Sequence, residues 1–146
     1  MRSPTLKQVT TELQQYPPAL LAAFDETQET VAKHVDEVQL IKWAREGVRI
    51  AQQTARAWEA SVEYFNASFK VLGVLTFPQF LRWSENGAVL CEESPTVASS
   101  FFKTSPAVLA HLPARYVSGW AGLGKQLCRG TWKSSSLAAR FFESSP

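Results

Sequence analysis

The sequence has little of what most site chemistry needs. Among its 146 residues there are two cysteines, two histidines and one methionine. Two cysteines and two histidines, at no recognisable ligand spacing, cannot build a four-ligand zinc site. No apolar run approaches the roughly 20 residues that span a bilayer. The first 15 residues hold no apolar stretch that could act as a signal peptide, so a cytoplasmic chain without a disulfide is expected. Fifteen basic against 13 acidic groups leave a net charge of +2, too little to argue for a nucleic-acid or membrane partner. What is present is core-forming material. Hydrophobic residues make up 45% and charged residues 19%, the balance of one globular domain.

Charge drifts along the chain. Residues 1–42 carry four basic and six acidic groups, 43–106 carry six of each, and 107–146 carry five basic groups against Glu143 alone. Lys125, Arg129, Lys133 and Arg140 fall at helical spacings, as a solvated face does. The same four residues are the candidates if the basic end contacts nucleic acid.

The most informative feature is an internal repeat. Trp43 is followed by Gly47, Ile50 and Ala51; Trp83 by Gly87, Leu90 and Cys91; Trp120 by Gly124, Leu127 and Cys128. Each copy then reaches an aromatic pair, Tyr64-Phe65, Phe101-Phe102 and Phe141-Phe142, with a serine three residues past the second ring: Ser68, Ser105 and Ser145. Val71-Leu72 and Leu75 in the first copy match Val108-Leu109 and Leu112 in the second. The distance from tryptophan to the first ring is 21, 18 and 21 residues, so one connection is shorter by about a helical turn.

Apolar residues recur at helical rather than alternating spacing, and Ser-Pro pairs at 3–4, 94–95 and 105–106 read as helix starts. Each unit is therefore expected to hold three short helices: one with Trp and Gly, one ending in the aromatic pair, and one running through Val-Leu. Trp and Gly four residues apart share a helix face, where glycine lets a neighbouring helix approach. Glycine costs about 1 kcal/mol in a helix interior, which a packing gain must offset.

The expected fold is all-α, a solenoid-like array of three tandem units at 43–82, 83–119 and 120–146 behind an N-terminal helical cap at 1–42. Its core residues are Trp43, Gly47, Phe65, Trp83, Gly87, Phe102, Trp120, Gly124 and Phe142. The last unit is read as incomplete, because Ser145-Pro146 matches the dipeptide that would open a Val-Leu helix. The chain is accordingly expected to be a fragment of a longer protein. Phe141 and Phe142, with Lys125, Arg129, Lys133 and Arg140, form the candidate partner surface, through which the chain could also self-associate.

No enzyme constellation emerges. His34 and His111 have no recurring nucleophile beside them. Cys91 and Cys128 share the repeat position of Ala51, a small buried slot rather than a metal or redox pair. Gly122-Leu-Gly-Lys125 lacks the spacing and the Ser/Thr of a phosphate loop. Neither a cofactor nor a metal is expected.

The run Trp43-Ala-Arg-Glu-Gly47-Val-Arg-Ile-Ala51 through Tyr64-Phe65-Asn-Ala-Ser68, with its later copies, resembles helical repeats of large bacterial proteins. Those proteins carry a C-terminal von Willebrand factor A domain and are described as nitric oxide reductase activation or carbon monoxide dehydrogenase accessory proteins. The resemblance covers about residues 43–146. It implies a helical scaffold that engages protein partners, beside a metal-dependent adhesion domain working with a AAA+ ATPase. This chain has no Asp-x-Ser-x-Ser motif, so only the scaffold role carries over.

Overall fold

The computed structural model describes residues 4–130 and 134–145, and within them every regular element is helical. In chain order these are α1 (Pro4–Leu13), α2 (Pro18–Ala32), α3 (Glu37–Ala51), α4 (Ala57–Leu72), α5 (Phe77–Glu93), α6 (Pro95–Leu109), α7 (Val117–Gly130) and α8 (Ser134–Ser144), with a 3-10 turn at Ala114–Tyr116 before α7. None of the described helices is long and apolar enough to cross a membrane.

Local chemistry accounts for where the helices begin. Asp36 caps α3 by accepting from the Gln39 amide at 2.8 Å, while the Gln39 side chain accepts from the Asp36 amide at 3.1 Å. Thr76 and Gln79 repeat this reciprocal box at α5. Proline stands at the first position of α2, as Pro18, and of α6, as Pro95, where a missing N–H costs nothing. Ser94 ends α5 and caps α6 by accepting from the Val97 amide. One residue thus makes the α5–α6 connection where α3 and α4 are joined by residues 52–56, which places the shortened copy in a turn.

One expectation about the units is corrected. They hold two helices, not three. Ser105-Pro106 does not open a helix but lies inside α6, and Val71-Leu72 and Val108-Leu109 form the last turns of α4 and α6. The reason is that the Ser105 hydroxyl is already engaged. It donates to the Phe101 carbonyl and accepts from the Trp83 indole, so it cannot cap.

The hairpins pack side by side. Odd-numbered helices α1, α3, α5 and α7 contact one another in sequence, even-numbered α2, α4, α6 and α8 do likewise, and each hairpin closes on itself. The core runs between the two rows and is one continuous cluster. Ion pairs bridge the odd row at its surface: Arg45 with Glu12, and Arg49 with Glu85 at 2.7 Å. Both pairs are substantially exposed and contribute little beyond alignment.

Candidate functional site

Three places in the core have the same construction. Gly47 faces Phe65, Gly87 faces Phe102, and Gly124 faces Phe142, each so closely that a Cβ added to the glycine would overlap the tip of the ring. The ring also meets its unit's tryptophan edge-on. Centroids are 5.2 Å apart for Trp43–Phe65, 5.0 Å for Trp83–Phe102 and 5.1 Å for Trp120–Phe142, at interplanar angles of 77°, 75° and 90°. Glycine four residues after the indole is thus the notch that admits the phenylalanine of the next helix.

The serine completes the contact. Ser68, Ser105 and Ser145 each donate to the carbonyl four residues earlier, at 2.6, 2.5 and 2.6 Å. Ser105 also accepts from Trp83 Nε1 at 2.8 Å, and Ser145 from Trp120 Nε1 at 3.0 Å. The first copy differs. Trp43 Nε1 is buried with no hydrogen-bond partner among the described residues, while the Tyr64 hydroxyl donates to the Trp43 carbonyl at 2.8 Å.

The first ring of each pair looks forward along the chain. Tyr64 stacks on Trp83 and meets Phe102 edge-on; Phe101 packs on Trp120 and meets Phe142 edge-on. Phe24, in α2, does the same to Trp43 and Phe65, at 5.5 Å from both. The α1–α2 hairpin therefore covers α3–α4 through the same ring position. This residue was missed at the sequence level, although a signal existed: Phe24, Tyr64 and Phe101 each stand 19 residues before the next tryptophan. The residue after Phe24 is the exposed Asp25, where the later copies have phenylalanine.

All nine core residues inferred from the repeat are buried: Trp43, Gly47, Phe65, Trp83, Gly87, Phe102, Trp120, Gly124 and Phe142. Phe142 therefore leaves the candidate partner surface, because Gly124 and Trp120 enclose its ring inside the hairpin. Phe141 stays on it. It is half-buried and lines an open groove of about 310 Å³ with Val108, His111, Leu112, Trp120 and Ser145. Arg140 is exposed and Lys125 half-buried, on neighbouring helices; Arg129 belongs to α7, and Lys133 lies outside the described residues.

Comparing copies position by position shows how the last hairpin departs from the others. Tyr64 and Phe101 are sealed, Phe141 is not. Ala60 and Val97 are sealed, whereas Leu137 at the same place is 44% exposed. Ile50 and Leu90 are sealed, Leu127 is half-buried; Ala51 and Cys91 are sealed, Cys128 is half-buried. Leu123, in a position held by Glu46 and Asn86 earlier, is 53% exposed.

Titratable groups add little chemistry. His34 and His111 are exposed, and no three His, Cys, Asp or Glu residues among the described ones come together as a metal site would need. Burial pushes the Cys91 thiol up to about 12, with Glu92 adding to it, and raises Cys128 with Glu93 in support. The Cys91 thiol therefore stays protonated at neutral pH and is a poor nucleophile. A shallow polar groove between α4 and α6 holds Glu63, Asn66, Lys70 and Lys103; desolvation raises the Glu63 carboxyl and Lys103 opposes that shift.

In comparisons with protein-family models, with curated proteins and with solved structures, nothing matches this chain.

Proposed function

We propose that the chain is a non-enzymatic scaffold for protein–protein interaction, built as a solenoid-like array of three tandem helical units behind an N-terminal capping hairpin. The observation that carries this reading is the recurrence of one contact, a glycine notch filled by a phenylalanine beside a tryptophan, at Gly47, Gly87 and Gly124. Side chains repeated in this way serve stacking, and stacked hairpins offer extended surfaces to partners. The partner follows from the resemblance, which implies an accessory protein with a von Willebrand factor A domain acting with a AAA+ ATPase; the cytoplasmic setting follows from the first 15 residues, which hold no apolar stretch. The residues that such a resemblance maps onto here are the packing residues of the units, not a metal site.

The test is a binding titration of the full chain against a AAA+ ATPase of that type, with a duplex oligonucleotide in parallel. Protein binding that persists as salt rises supports the scaffold. Oligonucleotide binding that falls steeply with salt, without protein binding, overturns it in favour of a basic module acting through Lys125, Arg129, Lys133 and Arg140.

A further inference from the structure

Between α5 and the start of α7 lies a cavity of about 150 Å³ whose polar lining is Gln79, Arg82, Asn86, Arg115 and Ser118, with Trp83 in its wall. Among the described residues, Arg45, Arg49 and Arg56 are each paired with a glutamate, whereas Arg82 and Arg115 have no carboxylate partner. None of the described residues lining the cavity is acidic. The neutral groups are set to donate as well. Gln79 Oε1 accepts from the Thr76 amide at 2.9 Å, which leaves the Gln79 side-chain NH2 as a donor. Ser118 Oγ accepts from Asn86 Nδ2 at 3.1 Å, which leaves the Ser118 hydroxyl proton to donate. The Arg115 guanidinium lies over the Tyr116 ring, 4.8 Å from its centroid.

The preceding copy supplies the contrast. On α3, Lys42 and Glu46 flank Trp43 as Arg82 and Asn86 flank Trp83 on α5, and Glu46 holds Arg49 at 2.6 Å. With asparagine in place of that glutamate, two guanidiniums share one small cavity and nothing in its lining neutralises them. Like charges so placed repel one another, and a bound anion reverses that cost. We infer that the cavity between α5 and α7 binds a phosphate group, free or as a small monoester, clasped by Arg82 and Arg115 with Gln79 and Ser118 as neutral donors. A tetrahedral dianion suits this set better than a carboxylate, because two guanidinium forks and two further donors exceed what two coplanar oxygens accept. Size sets the other limit. Pockets for whole ligands begin at roughly 300 Å³, so this one takes a phosphate group and not a nucleotide. Its lining joins the second and third hairpins, so the bound anion ties α7 to α5.

The experiment titrates the full chain with inorganic phosphate at constant ionic strength, with acetate and chloride in parallel arms. Tryptophan fluorescence is followed because Trp83 lines the cavity. Phosphate should give a saturable change and, at roughly ten times its dissociation constant, raise the melting temperature by about 4 °C. Arg82→Gln and Arg115→Gln, both at exposed residues, should each weaken binding by about tenfold or more while helical circular dichroism stays unchanged. Asn86→Glu, which restores the carboxylate of the preceding copy, should abolish the phosphate response. A glycerol phosphate arm separates the two sources: affinity equal to or above that of phosphate assigns the site to a monoester, and weaker affinity assigns it to the free ion. The inference is overturned by an equal response to acetate or chloride, or by the lack of any saturable response to phosphate. A phosphate response that survives when Arg82→Gln and Arg115→Gln are combined overturns it too.

Discussion

The ring of Phe102 occupies the space in which a β-carbon on residue 87 would have to sit. The glycine is required by packing, since no described glycine has a positive φ. Gly87→Ala should therefore destabilise the chain by about 1–3 kcal/mol, even though alanine is the better helix former. Gly122→Ala, on α7 with open space around it, should stabilise by roughly 0.5–1 kcal/mol. Urea denaturation of the two variants separates them by sign, and the same sign for both removes the notch from the account.

Ser105 and Ser68 occupy matching positions but carry different loads. Ser105→Ala strands the buried Trp83 indole N–H and should cost about 1–3 kcal/mol. Ser68→Ala removes only a bond to the Tyr64 carbonyl, since Trp43 Nε1 has no partner to lose, and should cost less than about 1 kcal/mol. Equal losses would mean that the indole–serine bond contributes nothing.

Truncating the forward-facing rings gives a graded series. Phe24→Ala and Phe101→Ala each empty a fully buried site and should cost about 3–5 kcal/mol. Phe141→Ala, from a half-buried site, should cost clearly less. Thermal unfolding of the three checks the order, and a mild Phe24 variant would reduce α1–α2 to an appendage.

The cysteines separate on reactivity and on pH. At neutral pH a maleimide should label Cys128 well ahead of Cys91, which reacts only on unfolding. The folded Cys91 thiol is raised above its unfolded value, so its contribution to stability is intact below the unfolded pKa and drains away as pH climbs toward about 12. Cys91→Ala should therefore show a shallower loss of stability in alkali than the native chain. Tyr64, also raised by burial, falls away in the same direction in both proteins and cancels from the difference.

Much of the packing was legible in the sequence because glycine, tryptophan and paired aromatics are costly or bulky enough to leave a spaced trace. The nine repeat residues stand out by their spacing alone. Ser105-Pro106 misled because a serine before proline has the same letters whether it caps a helix or, as here, holds an indole inside one. Phe24 went unseen because its hairpin keeps only one of the repeat's marks; Leu6 and Thr10 stand in α1 where a Trp-x-x-x-Gly pair would announce it. The openness of Phe141 beside the closure of Phe142 was beyond sequence reach, since adjacent rings differ only in which way the helix turns them.

Rings run through the molecule without interruption: Phe24, Trp43, Phe65, Tyr64, Trp83, Phe102, Phe101, Trp120, Phe142 and Phe141, each within 5.0–5.8 Å of the next. A file of this kind has no seam. In arrays whose modules meet through weak junctions, heat peels the end module first and the rest survives it. Here each contact between hairpins is made by rings that also form the interior of the adjoining hairpin, so losing one hairpin strips the wall from its neighbour. Melting should consequently be a single step, with tryptophan fluorescence and helical circular dichroism falling together.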